Sequence, residues 1–136
     1  MSTAVRLVQP SGLAASVPYS YAAVAPANSQ MVFLAGACPL DLDGRTVAVG
    51  DVAGQARVCM ENMRIALDAA GGTLTDVVFV RVLVASTSRD DLAAAWRVVH
   101  EAFGSYEPPG TLQGVTVLGW TDQSVEVEAV AAVARG

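Results

Sequence analysis

Apolar residues recur along this chain in two rhythms, and the changes of rhythm mark out its elements. Ala4 to Val8 is a short apolar run ended by Pro10 and Gly12, which reads as an edge strand. Tyr19 to Val24, opened by Pro18, alternates weakly and closes at Pro26. Met31 to Ala35 (MVFLA) follows after a short turn. These two runs predict a hairpin, and the unbroken apolarity of the second predicts a strand buried on both faces. Asp41-Leu-Asp43-Gly44 is turn chemistry, with a brief strand expected at Thr46 to Val49. The period then changes. Val52, Ala56, Cys59, Met63, Ala66 and Ala70 recur at three- and four-residue steps behind Asp51, a capping residue. This predicts a helix of about five turns that Gly71-Gly72 stops.

Val77 to Ala85 (VVFVRVLVA) is apolar almost throughout and reads as a central strand. Ser88 with Asp91 three residues on forms a capping-box pattern, Asp replacing Glu, ahead of a helical stripe of Leu92, Ala95, Trp96, Val99 and Phe103 that Gly104 ends. Pro108-Pro109-Gly110 excludes helix and strand alike. Two last strands then flank a polar turn at Trp120 to Gln123. In the final one, period-2 alternation puts Glu126 and Glu128 on one face with Val130 and Ala132, and Val125, Val127, Ala129 and Ala131 on the other. The order β, β, β, α, β, α, β, β predicts an α+β fold in a single domain over residues 1–136: a mixed sheet of about six strands with both helices on one face. Two helices leave the second face of an apolar sheet uncovered, so a closed homo-oligomer is expected.

Composition supports that expectation. A chain of 136 residues buries roughly two thirds of its unfolded surface. Its mean hydropathy of +0.45 and 15% charged residues are apolar for a domain that must be wet on all sides. The net charge of −5, with eight basic residues that are all Arg and nowhere clustered, offers no footprint for a phosphate backbone, so nucleic acid is not an expected partner. There is no apolar run long enough for a membrane span and no leader-like start, which points to the cytoplasm. Cys38 and Cys59 have neither zinc nor redox spacing and are expected as reduced thiols.

Few residues carry candidate chemistry. Glu126 and Glu128 stand about 7 Å apart along one face of an apolar strand, and burying them calls for water, a cation or a ligand. Arg81 interrupts the central strand. It either pairs with Glu126 or Glu128 or faces a pocket and binds an anion. Cys38 sits in a Gly-Ala-Cys-Pro loop with no basic neighbour to lower its pKa, Cys59 is on the core stripe of the first helix, and His100, the only histidine, reads as a surface residue near a helix C-terminus. No metal-ligand cluster, Ser/His/Asp set or phosphate-cradling glycine loop is present, and no cofactor is implied.

With the segments placed, the chain resembles the RidA (YjgF-like) family of enamine/imine deaminases over nearly its full length. The resemblance rests on Pro18-Tyr19-Ser20, on Leu34-Ala-Gly36-Ala-Cys-Pro39-Leu-Asp41, and on Gln55-Ala-Arg with Glu61-Asn62. Ala69-Ala-Gly71 before Asp76-Val-Val, and Glu126-Val-Glu128-Ala-Val-Ala, complete it. The resemblance implies a chorismate-mutase-like α+β protomer and a trimer with a central barrel and three sites between subunits. It also implies a small-molecule ligand held by Tyr19 and the backbone at Gly36, and a water placed by Glu126. Cys38, Trp96, Thr111 and Arg81 complete the candidate binding set. The family's carboxylate-gripping Arg falls on Thr111 or Gly110, so an altered substrate is expected; the alternative is a non-catalytic ligand-binding or scaffold trimer of the same fold.

Overall fold

A computed structural model describes residues 4–134. In chain order its elements are β1 (Arg6–Val8), β2 (Ala22–Val24), β3 (Ser29–Phe33), α1 (Val52–Ala69), β4 (Val77–Val84), α2 (Arg89–Phe103), β5 (Gly110–Gly114) and β6 (Val125–Ala134), with one 3-10 turn at Leu74–Asp76 before β4. The order and kind of elements follow the hydrophobic rhythms, and the fold is α+β. Asp51 caps α1, its Oδ1 accepting from the Gly54 N–H at 2.9 Å. The buried stripe of α1 is Gln55, Ala56, Cys59, Met60, Met63 and Leu67. Ala66 and Ala70 fall on its exposed side, because the larger Leu67 takes the inward position. The α2 stripe is as read, with Ala95, Val99 and Phe103 buried and Gly104 ending the helix at φ 68°.

Strand pairing departs from the sequence-based expectation in three ways. The strands form a four-stranded sheet in the order β3-β6-β4-β5 and a separate β1-β2 pair, not one sheet of six. β2 pairs with β1, while β3 joins the chain's last strand from Ser29 opposite Ala134 to Phe33 opposite Val130, so no β2–β3 hairpin forms. β5 runs parallel to β4, and β4 separates it from β6. The physical reason lies in α2, whose apolar stripe must lie on the sheet beside β4 and so carries the chain to the free edge of β4. The longest strand, β6, then fills the middle. Gly110, excluded from a strand on sequence grounds, begins β5 opposite Val80, and a Cβ there would overlap the Val80 carbonyl oxygen. Thr46 to Val49 makes only an isolated bridge, Leu40 to Thr46.

Side-chain alternation divides the sheet cleanly. Val80, Val82 and Val84 of β4 and Val125, Val127, Ala129 and Ala131 of β6 pack under the two helices. Phe79, Arg81 and Leu83 look the other way with Glu126, Glu128 and Val130. β3 is not buried on both faces as MVFLA suggests: Met31 and Phe33 lie on this open face, 45% and 77% exposed. One bulge sets the phase of β4. Val77 pairs with Ala131 and Phe79 with Val130, so Val78 is an extra residue and Val77 turns inward while Phe79 turns out.

No helix among the described residues is long and apolar enough to cross a membrane.

Candidate functional site

Past β3 the chain stays alongside β6. Leu34 donates to the Ala129 carbonyl at 3.2 Å, and Ala37 and Val127 exchange bonds of 2.7 and 3.1 Å. That course lays Gly36 and Cys38 against Glu126. The fit at Gly36 is close: a Cβ there would stand 2.5 Å from Glu126 Oε2, so only glycine lets the carboxylate lie over the backbone. The Cys38 thiol stands 3.4 Å from Glu126 Oε1 and 3.5 Å from the Gly36 carbonyl oxygen, the charged acceptor being the nearer, and Gln123 Nε2 stands 3.4 Å from the same carboxylate oxygen. Asn62 on α1 fixes the loop, donating to the carbonyls of Cys38 at 2.9 Å and Leu40 at 3.1 Å. Burial, then the bond to Glu126 and its charge, push the Cys38 thiol up from its ordinary value, so it remains a neutral donor. Both cysteines are free, and burial raises Cys59 further still.

A second group gathers at the β5 edge. Pro18, Tyr19, Trp96, Gly110 and Leu112 line an apolar cup of about 210 Å³. Tyr19 stacks edge-on against Tyr21 with ring centres 5.6 Å apart. Trp96 Nε1 is buried and has no hydrogen-bond partner among the described residues. His100 lies part-exposed in the last turn of α2, as read, and in addition meets the Glu107 carboxylate at 2.7 Å, while the Glu107 carbonyl accepts from Ser20 N–H at 3.0 Å. The pair ties the loop before β5 to the segment that carries Tyr19.

Arg81 resolves onto Glu128. The two are opposite in register, with Nη1 2.6 Å from Oε1, and the guanidinium lies 5.5 Å from the centre of the Phe79 ring. Glu126 stands opposite Leu83 instead. Thr111 is in register with Arg81 on its other side, exposed on the open face, whereas Gly110 and Leu112 line the cup. Within one chain the candidate residues thus form three groups: Gly36, Cys38 and Glu126; Tyr19 and Trp96; Arg81 and Thr111. β4 stands between Glu126 on β6 and Gly110 on β5, and two strand spacings with a three-residue offset along the strands put the two backbone positions about 14 Å apart. Sequence reasoning missed Gln123, placed only within a turn. The one signal was a polar residue three positions ahead of Glu126, at the point where alternation begins.

This fold, with a carboxylate held over a glycine backbone, defines a class, and comparison with known proteins identifies it. Residues 10–133 match the model of the family described as Endoribonuclease L-PSP. A RutC family protein of Pyrococcus horikoshii is 34% identical over 114 residues, covering 84% of this chain and 86% of its own. The 3-aminoacrylate deaminase RutC of Acinetobacter baylyi is 33% identical over 78 residues, 57% of each chain. Among solved structures, a Rid-family protein of unknown function from Yersinia pestis superposes with a TM-score of 0.87 at 26% identity, covering 95% of this chain and 98% of the other. The chain belongs to the Endoribonuclease L-PSP family, the YjgF/RidA group.

Proposed function

We propose that the protein is a RidA-like hydrolase of small enamines, imines or related carbonyl compounds, acting in the cytoplasm as a homotrimer without a cofactor. One observation carries the reading: Glu126 presents a half-exposed carboxylate with one oxygen over the bare Gly36 backbone. A carboxylate so placed can accept a proton from water as the water oxygen adds to the imine carbon. The carboxylate passes that proton to the imine nitrogen to give the carbinolamine; as this collapses the same carboxylate takes the hydroxyl proton and delivers it to the nitrogen, so that the carbonyl forms, the C–N bond breaks and ammonia departs. A similar deamination is named for the Acinetobacter relative.

The separation of Glu126 from the Tyr19/Trp96 cup within one chain favours a site completed between copies, with the cup of one chain facing the carboxylate of its neighbour. The apolar open face, on which Phe33 is 77% exposed, suits such assembly. The cup has no charged lining residue, and the nearest strand position to it on the open face is Thr111, which with Gly110 is one of the two positions where the family resemblance calls for Arg. A hydroxyl cannot replace a bidentate guanidinium, so the proposed substrate is less dependent on a carboxylate than an amino-acid-derived imine. Some relatives carry an endoribonuclease name, but the acidic balance of −5 does not suit an RNA backbone.

The test is to generate 2-iminobutyrate in situ with an amino-acid oxidase and to follow its loss beside a neutral imine of similar size. The expected result is acceleration of the neutral imine that Glu126→Ala lowers about a hundredfold or more, leaving a small residual rate, and a gain of about tenfold in kcat/KM on 2-iminobutyrate in Thr111→Arg. Binding of imines without turnover would instead support the non-catalytic scaffold.

A further inference from the structure

We infer that Cys38 and Gln123 are positioning residues for Glu126: their two donors hold Oε1, so that Oε2, over the bare Cα of Gly36, is the oxygen that takes the proton of the attacking water. The inference rests on Glu126 as the water-activating group and goes beyond it, because it names the reactive oxygen and the residues that select it.

The support for each donor is rigid. Gln123 is 6% exposed and its amide is fixed at both ends. Its Oε1 accepts from the Trp120 N–H at 3.1 Å, and its Nε2 donates to the Val125 carbonyl at 3.0 Å. An amide nitrogen carries two hydrogens, and Glu126 Oε1, 3.4 Å away, is within reach of the second. Cys38 approaches the same oxygen from the opposite strand-like segment, whose backbone is bonded to β6 at Ala37 and clamped by Asn62. Only a protonated thiol can donate, and the raised Cys38 pKa keeps it protonated near neutral pH. No donor among the described residues reaches Oε2. A carboxylate with one oxygen engaged has its free acceptor sites on the other, and here that oxygen faces the gap that Gly36 leaves.

Two readouts test the inference, one of them independent of turnover. Iodoacetamide alkylation of Cys38, followed by mass spectrometry, is expected to run several-fold faster in Glu126→Gln, because the thiol loses the charge that opposes its ionisation. An unchanged rate would overturn the thiol–carboxylate contact whatever the enzyme does. In turnover of the neutral imine, Cys38→Ala and Gln123→Met are each expected to lower kcat by about tenfold with KM unchanged, and Cys38→Ser, which keeps a donor, to restore most of the loss. Combined with Glu126→Ala, neither substitution should lower the residual rate further. If Cys38→Ser is as impaired as Cys38→Ala, or the losses add to that of Glu126→Ala, Cys38 acts on substrate itself and the positioning role is wrong. If no imine is hydrolysed by the unaltered protein, the proposed function fails while the alkylation readout still decides the contact.

Discussion

A single hydrogen atom at position 36 decides whether the carboxylate of Glu126 can occupy its place. In Gly36→Ala the new methyl would meet Oε2 at 2.5 Å, but that oxygen is the far end of a flexible side chain, which can swing aside. The expected outcome is a small stability loss, about 1 kcal/mol or less by thermal melting, with imine hydrolysis reduced tenfold or more. A large fall in melting temperature with activity per folded molecule intact would contradict this. The Arg81–Glu128 pair is the opposite case. Its side chains are 43% and 34% exposed, so despite a 2.6 Å separation it contributes about 1 kcal/mol at most, and solvent screening reduces even that. The alternation reached both glutamates without ranking them, and only the family resemblance singled out Glu126. Glu126 and Glu128 look alike in the alternation; what separates them is the opposing residue, Leu83 for one and Arg81 for the other, and register is a long-range fact that no local pattern encodes.

At the scale of elements, what local chemistry can specify was legible, and what depends on partners across the chain was not. The helices, the α2 stripe, most of the α1 stripe and the Asp51 cap follow from spacing alone, Ala66 and Ala70 being the exceptions. Pairing does not: β3 finds β6 a hundred residues later, and β5 is drawn beside β4 by the helix between them. The Ser88 box fails for a local reason: Ser86, two residues earlier, donates to the Asp91 carboxylate at 2.7 Å and accepts from the Ser88 N–H at 3.0 Å. Gly110 gives an element-scale prediction. Its virtual Cβ runs into backbone, the Val80 carbonyl, and no rotamer can relieve that. Gly110→Ala should therefore push β5 off β4 and cost about 2 kcal/mol or more, measured by denaturant unfolding, with the amides of β5 losing hydrogen-exchange protection first. The contrast with Gly36→Ala is the point: two glycines with overlapping virtual atoms, one yielding and one not.

For the whole molecule, the open sheet face and the alkaline limit of stability each make a prediction. The proposed trimer requires a solution mass of three 14.0 kDa chains, and Phe33→Glu, which places charge on the most exposed large residue of that face, should shift the mass toward one chain. A wild-type mass of a single chain would remove the trimer and with it the shared site. Tyr106 joins the end of α2 to the start of β4, its hydroxyl donating to the Val77 carbonyl at 2.6 Å. Burial, with a smaller contribution from the Asp76 charge, pushes its phenol from 10.0 up to about 12. The folded state thus favours the protonated form. Its stabilisation is complete below the ordinary tyrosine pKa and is lost as pH rises through about 12, and Tyr106→Phe should flatten that alkaline decline in melting temperature.

The extra residue in β4 also bears on how the length of this chain can change over descent. Elsewhere in a half-covered sheet, losing one residue turns every following side chain to the wrong face. At Val78 it does not: with that residue removed, Val77 would still face the helices and Phe79 would still face out, because the bulge already supplies the half-step that a deletion consumes. The strand would only become regular, drawing the 3-10 turn before it closer by about 3.3 Å. Val78 is therefore the position in β4 where relatives can differ by a residue in length while keeping the Arg81–Glu128 and Leu83–Glu126 registers, and an alignment that places its gap anywhere later in the strand would mis-assign the face that carries the chemistry.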